Sequence, residues 1–238
     1  CRSHCRPVPG SAVAEWVERV TKTPRGIVVG GGMLARAFLT LSTADNGRSC
    51  FFASGVSNSA CDDVGQFARE RELLLETLER HRAAEAFVYF GTCAADVPGN
   101  DSSPYVIHKV AMEALVLAHP NGHVARLPQV AGPNASPYTL LSALCSRIKS
   151  GQPVVIREHA TRNIIDVVDV VRLVDAWLME PDHARRINVA NTRSYPVVTI
   201  VDTIESVLGI KGVREMVATG EPYDVDTSAI APLMVSQG

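Results

Sequence analysis

The sequence predicts an α/β fold: a doubly wound parallel sheet, shortened after its first strand–helix unit, with a small C-terminal region added. Three observations carry this. Short apolar runs alternate with helical patterns of about 10 to 18 residues, the order that builds parallel sheets. Three consecutive glycines, Gly30, Gly31 and Gly32, separate the first strand from the first helix. Only nine residues, Ser42 to Cys50, lie between that helix and the next apolar strand, too few for another strand–helix–strand passage.

Gly26 to Val29 is a short apolar strand, and Met33 to Leu41 follows in helical periodicity. Cys50 to Val56 is a second apolar run, ending in Ser54-Gly55 before Val56. Asp62 or Asp63 caps a long amphipathic helix reaching about Arg82. Ala86 to Phe90 is a buried-type strand. Ser103-Pro104 reads as an N-cap and first-turn pair opening a helix through Ala118. His123 to Leu127 is the fourth strand. Ser136-Pro137 opens a helix that stops near Gly151, and Val154 to Arg157 is a short strand. Asp166 to Met179 is helical, Ile187 to Ala190 a strand, and Thr199 to Leu208 a helix stopped by Gly209. Residues 1–25 stand apart as an N-terminal extension, disordered by its composition. Residues 26–238 form one domain, its core at about 26–130 and 164–190, with segments 131–163 and 191–238 at one side.

The composition excludes several classes. Apolar residues are 46% and charged residues 20% of the 238, enough for a sizeable core. The net charge of −2 argues against a nucleic-acid binder. No apolar run is long enough to span a bilayer, so no membrane partner is expected. The six cysteines are spread widely, as reduced thiols in a cytoplasmic protein. Cys1, His4 and Cys5 form a cluster that could bind a metal, but a zinc site usually needs four spaced ligands, and no metal is expected. Cys1 at the start and a first methionine at Met33 read as a fragment, a processed chain or a displaced start. The chain has nineteen arginines and only four lysines, so each lysine carries more information.

Gly30 to Ala35 fits G-x-G-x-x-A. Such a turn lets a pyrophosphate approach the backbone at a helix N-terminus, and a small residue at Ala35 lets the helix sit close to the strand. The same glycines could serve the turn alone. A dinucleotide fold normally carries an acidic residue about 20 residues on, at the end of a second strand, for the adenosine ribose. Asp45 is the candidate stand-in, and it falls in a polar loop.

Tyr105 and Lys109 form Y-x-x-x-K on one face of a helix. An ammonium beside a phenol favours the phenolate and draws its pKa down from about 10. Such a tyrosine can exchange a proton with a hydroxyl whose carbon exchanges a hydride. Thr92 ends a strand where α/β sheets place ligands, and could orient the same oxygen.

With these residues in order, the sequence resembles an extended short-chain dehydrogenase/reductase of the NAD-dependent epimerase/dehydratase type. The resemblance runs from Gly26 to about Leu233, through FFASGVSNS, YFGTC, SPYVIHK, RLPQVAGP, RNIIDVVDV and INVA. It is strongest to a compact branch of polysaccharide-biosynthesis proteins. It implies a Rossmann-like fold, NAD or NADP as cofactor, and a nucleotide-sugar substrate. It implies Tyr105 as acid/base, Lys109 on the nicotinamide ribose, and Thr92 at the Ser/Thr position. Gly30, Gly31, Gly32, Met33, Leu34, Ser54, Gly55, Leu127 and Pro128 would face the cofactor. Thr92, Cys93, Gln129 and Arg162 would face the substrate. Gln129 replaces the family's usual Asn. Cys93-Ala94 replaces the Asp-Glu pair with which 4,6-dehydratases eliminate water, so a 4-epimerase or 4-ketoreductase is favoured. The resemblance also implies a homodimer through the helices from Val64 and Pro104.

Other residues read more plainly. Cys93 is either an extra acid/base or a small buried hydrophobe. His108 is a packing residue or an outer support of the site. Arg69, Glu70, Arg71 and Glu72 read as a solvated helix face. The alternative function is a dinucleotide-binding sensor without turnover. Intact Tyr105, Lys109 and Thr92 favour the enzyme.

Overall fold

A computed structural model describes residues 26–42 and 48–236. Five parallel strands form the main sheet: β1 (Ile27–Val29), β2 (Ser49–Phe52), β3 (Ala86–Thr92), β4 (Gly122–Leu127) and β9 (Arg186–Asn188). They lie side by side in chain order, with β1 at one edge and β9 at the other. Cys50 pairs with Ile27 and Phe87, Phe87 with Gly122, and Ala125 with Ile187. This is the Rossmann-like α/β sheet that the sequence predicts, with its shortening at β1. Among the described residues no strand lies beyond β1.

Side chains alternate across the sheet with a period of two. Phe51, Val88, Phe90 and Ala125 enter one apolar layer with Phe38 of α1 (Met33–Leu41), with α5 (Val167–Met179) and with the segment leading into α7 (Ala231–Ser236). Cys50, Phe52, Phe87, Tyr89 and Val124 enter the other, with Leu74 and Leu78 of α2 (Val64–Arg80) and Met112 and Val116 of α3 (Pro104–Leu117). Helices therefore cover both faces. Phe38 packs on Phe51 and Phe90 with ring centroids 4.6 and 5.1 Å apart. Truncating such a ring to alanine costs about 3–5 kcal/mol.

Local chemistry sets the helix ends. Asp63 accepts from Gly65 N at 2.8 Å and caps α2. Asp166 does the same for α5 through Val168 N at 2.7 Å. Pro104 opens α3 in the first turn, where its missing N–H costs nothing. Ser103 stands at the N-cap, but its side chain makes no capping bond. The helix expected from Ser136-Pro137 starts later, as α4 (Leu140–Ser150), because Thr139 supplies the cap by accepting from Ser142 N. The last long helix, α6 (Val197–Leu208), begins two residues before Thr199 and ends at Gly209, whose φ of 66° is left-handed.

Three small sheets build the side of the molecule beyond Leu127. β5 (Gln129–Ala131) pairs with β8 (Ile164–Asp166) and β6 (Val154–Arg157) with β11 (Arg214–Val217), both parallel. β7 (Thr161–Arg162) and β10 (Tyr195–Pro196) are antiparallel. Apart from β6, the sequence pattern does not show these short strands. Leu144, Ile148, Ile156, Val197 and Val201 close a separate apolar cluster there. No helix among the described residues is long and apolar enough to cross a membrane.

Candidate active site

A cleft of about 1280 Å³ opens over the C-terminal ends of β1 to β4 and runs out towards β6 and β7. The glycine turn forms one end. Gly30 has φ of 140°, and a Cβ there would collide with the Ala53 carbonyl oxygen. Only glycine allows β1 and the end of β2 to approach so closely. Gly30 thus shapes the turn, and the lining of the cleft begins at Gly31. Gly31 and Gly32 do line the cleft, and a Cβ at either would meet nothing within 4 Å. Gly32 is the N-cap of α1, so the free backbone N–H groups of that helix end at the cleft. Met33 and Leu34 complete this wall.

β3 delivers Thr92 to the floor. Its Oγ1 accepts from Ala94 N at 3.2 Å, capping a short 3-10 turn, and its hydroxyl is near enough to the Tyr105 phenol to act on its pKa. Tyr105 stands in the first turn of α3, is 7% exposed and lines the cleft. Burial pushes its phenol up to about 12; the neighbouring Thr92 hydroxyl works against this, while Glu70, Cys93 and Glu113 add to the rise. At neutral pH Tyr105 is therefore a phenol, a proton donor. This corrects the expectation that Lys109 draws the phenol down.

Burial is the main reason, and Glu70 adds to it. Lys109, one turn beyond Tyr105, is buried and lines the cleft floor. Burial lowers its pKa, and Glu70, whose Oε1 is 3.1 Å from Nζ, acts to restore it. The ammonium is thus paired with a buried carboxylate, and that same carboxylate adds to the rise of the phenol. Its Nζ also lies 4.7 Å from the centre of the Tyr89 ring, a cation–π contact. Glu70 is fully buried, not on a solvated face as its charged neighbours suggest. Its helical spacing gave the signal: Glu70, Leu74, Thr77 and Leu78 are the buried side of α2. His108 donates to Glu70 at 3.0 Å and stacks on Phe67, so it supports the site from outside the cleft.

The strand end Ser54-Gly55 lines the cleft beside Lys109, and Leu127, Pro128 and Gln129 line it from β4 and β5. Arg162 reaches it from β7, with Nη1 donating to the Thr161 carbonyl at 2.6 Å. Arg157 and Tyr223 join the same end, and no motif marks them in the sequence. Their segments are held together when Tyr223 N donates to Thr161 Oγ1 at 2.7 Å. Cys93 is not among the lining residues. It is 1% exposed and burial raises its thiol pKa, which fits the reading of a small buried hydrophobe. Among the described residues no three His, Cys, Asp or Glu side chains converge as metal ligands. Cys1, His4, Cys5 and Asp45 lie outside the described residues.

Residues 54–190, more than half of the chain, match the model of the NAD dependent epimerase/dehydratase family. No curated protein sequence matches the chain. Solved structures share its fold. The UDP-glucose 4-epimerase of Thermus thermophilus, complexed with NAD, is 19% identical over 80% of this chain and 71% of that one, with a TM-score of 0.60. The UDP-glucuronic acid 4-epimerase of Bacillus cereus, complexed with UDP-glucuronic acid and NAD, is 14% identical over 93% and 89%, at 0.65. The UDP-N-acetylglucosamine 4-epimerase of Methanobrevibacter ruminantium M1, complexed with UDP-N-acetylmuramic acid, is 17% identical over 79% and 71%, at 0.61.

Proposed function

The chain belongs to the NAD dependent epimerase/dehydratase family, and from this we propose an NAD(P)-dependent enzyme that acts on a nucleotide sugar in polysaccharide biosynthesis, as a 4-epimerase or 4-ketoreductase. The observation that carries the proposal is that Thr92, Tyr105 and Lys109 line one cleft together with the glycine turn at Gly31 and Gly32. The structural neighbours complexed with NAD and nucleotide sugars support the ligand classes.

The cofactor fits what the chain provides. Gly31 and Gly32 leave open space at a helix N-terminus, which suits a diphosphate. Ser54, Gly55, Lys109, Leu127 and Pro128 line the continuation of the same cleft and would hold the nicotinamide end. When bound, the cofactor supplies a hydride acceptor and donor.

The protein's own residues then handle the proton and the orientation. Tyr105, protonated at neutral pH, gives its proton to the sugar oxygen on reduction and takes it back on oxidation. Thr92 holds that oxygen in line with the phenol. Lys109 grips the ribose. Gln129 reads the sugar. Arg162 and Arg157, at the far end of the cleft, are placed for the diphosphate of a nucleotide sugar. Water elimination is disfavoured because Thr92 is followed by the buried Cys93 and by Ala94, and no acid pair stands there. The cluster of α4, β6 and α6 is the substrate side of this single domain.

The test is a panel of UDP- and dTDP-sugars with NAD and NADP, for wild type and Tyr105→Phe. Wild type should turn over at least one sugar, and the variant should lose about 10²- to 10⁴-fold in rate while binding the cofactor equally well. Cofactor binding with no turnover of any sugar would support a sensor instead. A Tyr105→Phe variant at wild-type rate would end the assignment.

A homodimer is part of the proposal. Val64 of α2 and Ile107 and Val110 of α3 are exposed at 76, 55 and 42%, an apolar face where two copies would pair these helices. Sedimentation should show a dimer, and Ile107→Glu should convert it to a monomer.

A further inference from the structure

Four donors converge on the buried carboxylate of Glu70. Oε1 accepts from Tyr89 Oη at 2.7 Å and Lys109 Nζ at 3.1 Å. Oε2 accepts from Val56 N at 2.6 Å and His108 Nε2 at 3.0 Å. The donors come from β3, α3 and the turn after β2, so one side chain of α2 ties three other segments together. A Cβ at Gly55 would lie 2.7 Å from both Glu70 Oε1 and Lys109 Nζ. The ion pair is therefore seated directly against the Ser54–Val56 turn, which lines the cleft.

A packing role alone does not call for a carboxylate here. A buried charge is costly unless an opposite charge answers it. The charged and titratable groups around the pair are few. Lys109 meets Glu70 directly and Glu113 at longer range, and Glu70 meets Lys109, Tyr89 and His108. Glu70 is thus the carboxylate in contact with the Lys109 ammonium.

We propose that Glu70 is the positioning residue of this site: it keeps Lys109 an ammonium and holds it against the Ser54–Val56 turn, where the cofactor is gripped. The role in grip rests on the cofactor reading above; the role in charge does not. Burial alone drives Lys109 towards the neutral amine, and Glu70 opposes this. The closing carboxylate also restrains the turn, since Val56 N is bonded to the oxygen that Lys109 leaves free.

The chain has four lysines, so ¹³C-lysine labelling with a Lys109→Met reference isolates the Lys109 signal. In wild type that signal should keep its ammonium position at neutral pH, although burial brings its midpoint below that of an exposed lysine. In Glu70→Gln its midpoint should fall by about one unit or more. Calorimetry with NAD should then show affinity falling with rising pH at a lower pH in Glu70→Gln than in wild type, by about tenfold once Lys109 is neutral. An unchanged Lys109 midpoint in Glu70→Gln overturns the proposal. If neither protein binds NAD, the cofactor reading fails while the lysine titration still decides the role of Glu70. If Glu70→Gln does not fold, the double variant Glu70→Gln/Lys109→Met should, because the stranded ammonium is gone. An unfolded double variant overturns the proposal, since Glu70 would then serve something other than Lys109.

Discussion

Arg126 of β4 closes on Glu113 of α3 with two nitrogens, Nη2 at 2.7 Å and Nε at 3.0 Å from the same carboxylate oxygen. Nη1 turns the other way, to Asp96. Both Arg126 and Glu113 are buried. The pair fastens the helix that carries Tyr105 to the strand that ends at Leu127. Arg126→Met should therefore cost about 3–5 kcal/mol, because it leaves a buried carboxylate without a partner. Arg126→Met/Glu113→Leu should recover much of that loss in urea denaturation. A double variant as unstable as the single would show that the pair's charge is not what matters.

Tyr105 should remain un-ionised over the working range. Its folded pKa is raised to about 12, mainly by burial. The chain has five tyrosines. Near-ultraviolet tyrosinate absorbance of wild type minus Tyr105→Phe should therefore show no ionisation step below about pH 10, the ordinary tyrosine value. A step near neutrality would mean that Lys109 governs the phenol after all. As it stands, the free protein is poised to give a proton, the reductive direction.

Two glycines should separate shape from contact. Gly55→Ala sets a methyl group 2.7 Å from two charged atoms. It should cost about 1–3 kcal/mol of stability and weaken NAD binding together. Gly31→Ala meets no protein atom within 4 Å. It should change stability by less than about 0.5 kcal/mol yet weaken NAD binding, because it fills space beside a helix N-terminus. Equal NAD affinity for Gly31→Ala and wild type would move the diphosphate elsewhere.

Acid should unfold the protein through its low carboxyls. Burial raises the Glu70 pKa, but Lys109, Tyr89, Val56 N and His108 outweigh it and hold it at about 2. Arg214 and Lys211 bring Glu205 down to about 2. Both are depressed in the folded state, so their stabilisation is complete above the unfolded value of about 4.3 and is lost as pH falls towards 2. Urea midpoints should hold steady down to about pH 5 and then fall. Glu70→Gln should flatten part of that fall. A wild-type midpoint unchanged at about pH 3 would contradict these carboxyl positions.

Much of this was legible in the chain itself. The glycine turn, the strand ending at Thr92 and the Tyr105–Lys109 spacing are local patterns, and local patterns survive in sequence. Glu70 was harder, because its neighbours Arg69, Arg71 and Glu72 are charged and only its phase with Leu74 and Leu78 places it inwards. Arg157 and Tyr223 were not legible. They reach the cleft through β6, β7 and the 219–223 loop, which meet only in three dimensions. Cys93 was legible as a small buried hydrophobe although it follows a site residue in sequence, and the 3-10 turn capped by Thr92 holds it in the core.

The strands β1, β2, β3, β4 and β9 lie in the sheet in the order in which they are synthesised. Each new strand adds to a growing edge, and none must be threaded between two that have already paired. A sheet that reverses direction midway asks its early strands to wait for late ones. Here the nascent chain can build its sheet as it emerges, and each closure as far as β4 carries a single α-helix.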